Sequence, residues 1–288
     1  MKLEYQPLDS GLHLFIGSPM RVNATVLIDD GEAVVVDSTA TVTQGQQIRR
    51  FVEEEAGARI VALVNTHWHS DHCGGNRGVL EGSAAPLIAH RLCTETLSRE
   101  YGMIARRPAK IDFSAQLRPR LFVDRELTLR VGKRQLRLIH APGHSPDSLI
   151  LFDQSERLAI VGDNLLAGSS PEKPALPYFF WGDPWQLVGV LERLRELDCR
   201  TIVPGHGAVL TGVQVEQALN GHLSYLRRLF DLTAELPQIP LPATADEPSP
   251  EWLAAVPLDE LLPDSNPPEW VRRMHELNLL ALQKTTER

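Results

Sequence analysis

The feature that most constrains this chain is the segment NTHWHSDHCGG at residues 65–75, which directly follows the apolar run Ile60–Val64. A short run of branched apolar residues is typical of a buried strand. Residues i and i+2 of an extended chain point to the same side, so His67 and His69 can hold one metal ion together. The fold must therefore place a polar, metal-binding loop at the end of a buried strand.

Further candidate ligands follow in the same manner. Asp71 and His72 come where the chain turns at two glycines, so they can address a neighbouring metal position. Three later strand-like runs end in glycine-containing loops with a polar side chain: His144 in APGHS, Asp163 in VGDN and His206 in PGHG. Loops at strand ends display functional groups on a rigid scaffold. The seven side chains supply five imidazoles and two carboxylates. This set is enough for two ions, and it suits Zn, Fe or Mn better than Mg or Ca.

Strand-like runs alternate with helical patterns along the chain. The predicted strands are Leu12–Ile16, Thr25–Ile28, Ala33–Asp37, Ile60–Val64, Leu127–Val131, Gln135–His140, Ser148–Phe152, Leu158–Gly162 and Thr201–Val203. One helix is indicated by apolar spacing over residues 48–56. A second begins at Asp183, with proline at the first helical position and Gln186 completing a capping box, and a third opens at Thr211. Two strand-rich halves with helices interspersed predict an α/β (α+β) fold in which sheets pack together under helices.

Residues 237–250 are rich in proline and interrupt this pattern. We therefore predict a catalytic domain at residues 1–235, a linker at 236–250 and a C-terminal helical extension at 251–288. The extension carries one helix whose apolar face is Trp270, Val271, Met274, Leu277 and Ala281. We expect it to fold back, either to cap the metal cleft or to form a homodimer contact.

Composition narrows the class of protein. The formal net charge of −8 argues against a nucleic-acid-binding groove. The N-terminus shows no secretory signal, and no stretch is apolar enough to span a bilayer, so we expect a cytoplasmic protein without membrane contact. The chain has 3 cysteines, an odd number at wide spacing, which disfavours a disulfide framework.

Several polar residues have competing interpretations. His140, four residues before His144, is either a partner of a ligand or an ordinary packed or exposed histidine. Asp37, at the end of the run VVVD, is either a hydrogen-bond partner of a ligating imidazole or a turn residue. Cys73 follows His72 directly, but we do not expect a thiolate ligand there. For His13, His90, His222 and His275 we expect structural or surface roles.

The pattern H-x-H-x-D-H, followed in order by a lone His, an Asp and a last His, resembles the metallo-β-lactamase superfamily over roughly residues 10–230. The resemblance implies an αββα sandwich with the metals at one edge between the sheets. It also implies a division of ligands. His67, His69 and His144 would form the first site, Asp71, His72 and His206 the second, and Asp163 would bridge them.

Such a site implies a hydrolase with two divalent ions, which lower the pKa of a bridging water and polarise the scissile carbonyl. Asp71 would both bind metal and orient the attacking hydroxide. The resemblance favours hydrolysis of a thioester or ester, as in the glyoxalase II and thioesterase branches. One thioesterase of the superfamily has a helical extension over its metal site, to which the tail here is loosely similar. The basic glutathione-binding run of glyoxalase II is not recognisable.

Three alternatives remain: a lactonase of the acyl-homoserine-lactone type, a β-lactamase-like hydrolase, and a metal-binding regulator that acts through a partner protein. Tyr178 could take the place of the lactonase active-site tyrosine. The segment Leu165–Trp181 contains Lys173 and a run of aromatic residues. It either walls a pocket for a small acyl substrate or forms core that seats the following helix.

Overall fold

The computed structural model describes residues 2–94, 118–170, 175–237, 241, 245–262 and 267–285. Two β-sheets stack face to face, and helices cover both outer faces. The fold is therefore the expected αββα sandwich, with additional helices at the C-terminus. Among the residues described, no helix combines the length and the apolar character needed to cross a membrane.

The first sheet contains seven strands in chain order. They are β1 (Leu3–Pro7), β2 (Leu12–Gly17), β3 (Val22–Asp29), β4 (Glu32–Val36), β5 (Arg59–Val64), β6 (Leu87–His90) and β7 (Leu121–Val123). Strands β1 to β4 pair antiparallel, as a meander of short turns permits. Strands β4 to β7 pair in parallel. The parallel strands direct their carboxyl ends to the same edge of the sheet.

The second sheet has six strands in the order β13-β12-β11-β10-β9-β8. They are β8 (Glu126–Val131), β9 (Arg134–His140), β10 (Leu149–Asp153), β11 (Leu158–Gly162), β12 (Thr201–Pro204) and β13 (Leu210–Thr211). Only β11 and β12 pair in parallel. The predicted strands lie within these sheets, whereas β1, β6, β7 and β13 were not predicted. Three of these strands, β1, β7 and β13, contain five residues or fewer, and most of their side chains are exposed or half-buried. A hydrophobic alternation is therefore hard to detect in their sequences.

The first helical layer consists of α1 (Val42–Arg50), which continues as a π-helical segment (Phe51–Glu55), and the short helices α2 (Ser70–Cys73) and α3 (Asn76–Leu80). The second layer contains α4 (Pro184–Glu196), α5 (Val213–Thr233), α6 (Pro250–Ala255), α7 (Leu258–Leu261) and α8 (Glu269–Thr285). The predicted cap of α4 is confirmed, because the Asp183 side chain accepts hydrogen bonds from the backbone N–H groups of Trp185 and Gln186. The cap of α5 is Gly212 rather than the predicted Thr211.

Three apolar cores explain why the central strands of each sheet are apolar on both faces. Alternate residues of one strand point to opposite faces. On β10, Leu149 and Leu151 therefore pack between the sheets, while Ile150 and Phe152 pack under the second helical layer. A third core lies between the first sheet and α1. Strands covered on both sides lack the polar alternation of a sheet that is open to water on one side.

The C-terminal helices contribute to the core that lies against the second sheet, through Trp252, Val256, Leu258, Val271 and Leu279 among others. The predicted apolar face of α8 is partly wrong, because Trp270 is exposed. The buried side of the helix also includes three polar residues, His275, Asn278 and Gln283. These polar groups can be buried because each has hydrogen-bond partners. Part of the predicted linker lies outside the described residues, and the domain boundaries stay a prediction.

The buried histidine of α5 gives the fold a pH-dependent stability. His222 donates from Nδ1 to the Ala218 carbonyl (3.1 Å) and accepts at Nε2 from the Leu166 N–H (3.4 Å), so it is neutral in the fold. Burial lowers its pKa from 6.5 to about 4. The unfolded chain therefore binds a proton at a higher pH than the folded chain does. This contribution to stability is complete above pH 6.5 and declines as the pH falls towards 4, by about 3 kcal/mol in total.

Urea unfolding of the wild type and of His222→Leu at pH 7.5 and pH 5 tests this expectation. The wild type should lose more free energy of unfolding between the two pH values than the variant does. Equal losses would show that His222 does not titrate in this range.

Candidate metal centre

The seven predicted ligands converge at one edge of the sandwich, where the carboxyl ends of strands from both sheets meet. His67 and His69 follow β5, and His144 follows β9, Asp163 follows β11 and His206 follows β12. Two backbone hydrogen bonds join the sheets at this edge, from the Leu149 N–H to the Thr66 carbonyl (2.7 Å) and from the Asn23 N–H to the Gly205 carbonyl (2.7 Å). The edge thus holds loops from both sheets in fixed register.

The first group of donor atoms comprises His67, His69, His144 and Asp163. The Nδ1 atom of His69 lies 2.9 Å from Nε2 of His67 and 3.0 Å from Nε2 of His144. The carboxylate Oδ2 of Asp163 lies 4.0 Å from the His67 nitrogen and 3.7 Å from the His144 nitrogen. Three ring nitrogens and one carboxylate oxygen therefore surround a single point.

The second group comprises Asp71, His72 and His206. The Nε2 atoms of His72 and His206 lie 3.3 Å apart, and Oδ2 of Asp71 lies 3.2 Å from the His206 nitrogen and 3.8 Å from the His72 nitrogen. Asp163 reaches this group as well, with Oδ1 3.3 Å from the His72 nitrogen and Oδ2 3.6 Å from the His206 nitrogen. Asp163 therefore lies between the two groups, as a bridging carboxylate must.

Hydrogen bonds outside the cluster fix which ring nitrogen carries the proton in four of the five histidines. His72 donates from Nδ1 to Oδ2 of Asp37 (2.8 Å). The Thr66 hydroxyl donates to the same carboxylate (2.7 Å) and so accepts from Nδ1 of His67 (3.0 Å). Both rings then present an unprotonated Nε2 to the cluster. An outer partner of this kind orients the ring and raises its basicity as a metal ligand.

Backbone carbonyls do the same for two other ligands. His144 donates from Nδ1 to the Tyr178 carbonyl (2.7 Å), and His206 donates from Nδ1 to the Met20 carbonyl (3.1 Å). His69 presents Nδ1 instead, and within the described parts of the chain its buried Nε2 has no hydrogen-bond partner. Five imidazole lone pairs thus point inward.

The chemistry of the donor set fits divalent metal cations. Lone pairs that face one another at about 3 Å, beside two carboxylates, repel unless positive charge lies between them. Oδ1 of Asp163 is buried and accepts no hydrogen bond from any described residue, as suits an atom reserved for a metal. Gly205 allows this packing, because a Cβ atom there would overlap Oδ1 of Asp163 and lie 2.9 Å from Cε1 of His72.

The protonation states agree with this assignment. Burial lowers the pKa of His67 and His144, and it lowers that of His69 to about 3, so these rings are neutral at pH 7 and able to ligate. Although burial opposes it, the nearby carboxylates, Asp163 first, raise the pKa of His72. The imidazoles of His206 and His72 in turn lower the pKa of Asp163 against the effect of burial. In the second group the carboxylates thus favour a proton on His72 while no metal is bound, and a metal ion that binds there would displace that proton.

The structure settles three residues whose roles were open. Asp37 touches a ligand and is also a strand-end residue with a left-handed φ of 59°. His140 does not approach the cluster; it stacks on His90, with ring centroids 3.7 Å apart.

The Cys73 thiol is buried and donates to the carbonyls of Trp68 and His69, and burial raises its pKa well above the ordinary value, so it is not a thiolate. All three cysteines are free, which confirms the absence of disulfides.

Sequence reasoning missed Thr66 and the backbone carbonyls that orient the rings. Thr66 gave one usable signal, since a hydroxyl directly before the first ligand is close enough to contact it. The carbonyls of Met20 and Tyr178 gave none, because every residue has a carbonyl.

The aromatic residues between Asp163 and α4 have both of the predicted roles: one is part of the core, and others line the candidate site. Phe179 is fully buried in the core under the second helical layer, where it seats α4. Tyr178 and Trp181 flank the candidate ligands, with ring centroids 5.7 Å from His144 and 6.3 Å from His69, respectively. The run is therefore core at one position and a wall of the site at its neighbours. Lys173 lies outside the described residues.

Asp37→Asn tests the hydrogen bonds that orient the ligands. Asparagine keeps the shape of the side chain and tolerates the left-handed φ, so the variant changes mainly charge and acceptor capacity. The carboxylate accepts from His72, from the Thr66 N–H (2.8 Å) and from the Thr66 hydroxyl. We expect zinc affinity to fall by about 10–100-fold. Competition with a chromophoric chelator measures this affinity, and an unchanged value would show that Asp37 is only a turn residue.

Comparison with known proteins defines the class. The family model of the metallo-beta-lactamase superfamily matches residues 17–206, which include every candidate ligand. The chain belongs to the metallo-β-lactamase superfamily.

Two curated relatives are informative about branches within the superfamily. The acyl-coenzyme A thioesterase MBLAC2 of Homo sapiens is 32% identical over 171 residues, which are 54% of this chain and 60% of that protein. The hydroxyacylglutathione hydrolase of a Synechococcus strain is 28% identical over 185 residues, which are 64% of each chain. The chain thus spans less than two thirds of the length of both relatives.

Solved structures support the fold alone. A metallo-beta-lactamase from Pontibacter korlensis superposes with a TM-score of 0.62 at 16% identity, over 78% of this chain and 99% of that one. The BLEG-1 B3 metallo-beta-lactamase gives a TM-score of 0.58 at 23% identity, over 75% of this chain. Part of this chain thus lies outside the region shared with these structures.

Proposed function

We propose that this protein hydrolyses a thioester or ester of a small acyl substrate and that it binds two divalent metal ions, with Zn²⁺ as the first choice and Fe or Mn as alternatives. The observation that carries the proposal is the convergence of seven donor side chains in two groups that share Asp163. The thioester substrate class is supported by the relatives, one named as an acyl-coenzyme A thioesterase and the other as a hydroxyacylglutathione hydrolase.

When bound, the two ions supply a water of lowered pKa and a Lewis acid for the substrate carbonyl. The residues of the chain position the attacking water and the substrate. Asp71 is the site carboxylate best placed to orient the attacking water, since its side chain is 19% exposed whereas that of Asp163 is 8% exposed. Tyr178 and Trp181 lie beside the ligands and form an apolar wall for the acyl group.

A substrate panel tests this proposal. Zinc-loaded protein is assayed against acyl-coenzyme A thioesters, acylated glutathione, aryl esters, acyl-homoserine lactones and β-lactams, with and without a chelator. We expect turnover of a thioester or ester that the chelator abolishes and that added zinc restores. A preference for the lactones or β-lactams would overturn the substrate assignment. Zinc binding without any turnover would favour a regulator that acts through a partner protein.

A further inference from the structure

The C-terminal helix α8 lies beyond the part of the chain that the superfamily model matches, yet it contacts the loop beside the metal centre. Its contact is the amide of Asn278, which is fully buried. Nδ2 of Asn278 donates to the Pro177 carbonyl (2.7 Å), and Oδ1 accepts from the Phe179 N–H (3.2 Å). One side chain thus holds the residues on both sides of Tyr178.

Tyr178 is the residue whose carbonyl receives the His144 ring. The distance from Nδ1 of His144 to that carbonyl is 2.7 Å, and Nε2 of the same ring faces the first donor group. The orientation of this ligand therefore depends on where the Tyr178 carbonyl lies. Asn278 fixes that place from the far side of the loop.

Asn278 is itself held in place by a buried network. Its Nδ2 lies 3.3 Å from the Tyr225 hydroxyl, which shares a hydrogen bond of 2.9 Å with Nδ1 of His275. Nε2 of His275 donates to the Val256 carbonyl (2.8 Å), so the Tyr225 hydroxyl is the donor to Nδ1. The network joins α8 to α5 and to the end of α6. Satisfied buried networks of this kind are rigid, because each member costs free energy if it loses its partner.

We propose that Asn278 is a positioning residue for the first metal group: it sets the orientation of His144 through the Tyr178 carbonyl. A purely apolar contact would seat the helix without a buried amide, and burying an amide is unfavourable unless its donor and acceptor are both used. Here both are used on the two residues that flank Tyr178. The inference rests on the proposed metal centre, and it gives the C-terminal helix a role in the site.

The test compares Asn278→Ala and Asn278→Asp with Gln283→Ala. Gln283 is another buried amide on α8, but its Oε1 accepts from the Ser249 N–H (3.0 Å), away from the Tyr178 loop. Asn278→Asp keeps the acceptor for Phe179 and the shape of the side chain, and it places a carboxylate against the Pro177 carbonyl. Gln283→Ala therefore also removes a buried amide from α8, but it leaves the contact between Asn278 and the Tyr178 loop in place.

Two measurements are made on the full chain. Chelator competition gives the affinity for Zn²⁺, and nitrogen-15 NMR of the metal-free protein reports the Nδ1–H of His144. We expect both Asn278 variants to weaken zinc binding by about tenfold, the low end for outer partners of ligands, because Asn278 acts through a backbone carbonyl. The His144 Nδ1–H signal should also shift or exchange faster. Gln283→Ala should change zinc affinity by less than about twofold, even where it lowers the melting temperature.

The outcomes separate the two proposals. Wild-type protein that binds no zinc would overturn the proposed metal-dependent function, while the NMR signal would still report whether Asn278 holds His144. Wild-type zinc affinity in both Asn278 variants, with an unchanged His144 signal, would overturn the positioning role alone. An equal loss of zinc affinity in Gln283→Ala would reduce Asn278 to a general stabiliser of α8.

Discussion

Asp71→Asn is expected to lower kcat by about 10²–10⁴-fold even at saturating metal, the usual range for a general acid–base or positioning group. The asparagine oxygen can still coordinate weakly, so high metal should refill the second group. It cannot orient a water as a carboxylate acceptor does. Asp71 lies 3.2 Å from the His206 nitrogen and is the more exposed of the two carboxylates in the centre. Asp71→Asn would therefore no longer orient the attacking water, because it lacks the carboxylate charge.

His206→Gln is the matched comparison, because it removes a ligand from the same group without removing a carboxylate. Activity of this variant should recover as zinc is raised, while that of Asp71→Asn should not. The measurement is kcat against zinc concentration, with the best substrate of the panel. If Asp71→Asn recovers to near the wild-type rate, Asp71 serves as a ligand and nothing more.

Asp163→Ala is expected to impair both metal positions and to remove nearly all activity. Its Oδ1 lies 3.3 Å from the His72 nitrogen, and its Oδ2 lies between the groups, 3.7 Å from the His144 nitrogen and 3.6 Å from the His206 nitrogen. No other side chain in the described part of the chain reaches both groups in this way. Elemental analysis should find about two zinc ions per wild-type chain. The variant should retain fewer than about one.

Asp153→Asn separates metal loss from general destabilisation. Asp153 is fully buried at the end of β10, where it pairs with Arg134 (3.0 Å), and it lies away from the cluster. This control should lower the melting temperature yet keep the wild-type zinc content. Full zinc content in Asp163→Ala would refute the bridging role, and at most one ion in the wild type would refute the second site.

Much of the fold and the ligand set could be predicted from the sequence because both rest on local patterns. The apolar runs that end at Val64, His140, Gly162 and Val203 are strands, and the polar side chains that follow them form the centre. Strand ends and their loops lie next to each other along the chain. The cap at Asp183 was visible for the same reason, since capping depends on residues within one turn.

The predictions that failed depend on partners distant in sequence. Trp270 is exposed, whereas Asn278 is buried, because Pro177 and Phe179 supply its hydrogen-bond partners across about a hundred positions. A helical wheel places apolar residues inward and has no means to detect a satisfied amide. The short edge strands likewise form through pairing with neighbours rather than by their own periodicity.

The sequence by itself determined which residues could bind metal, since the types and spacing of seven side chains define a donor set without any fold. Only the tertiary structure decided how those residues are held. The tautomers of four candidate ligands are fixed by hydrogen bonds to Asp37, Thr66 and the carbonyls of Met20 and Tyr178. The bond between Thr66 and His67 joins neighbouring residues, whereas the other three join segments far apart in the chain. A hydrogen bond requires two atoms within about 3 Å, and chain folding alone brings such distant atoms that close.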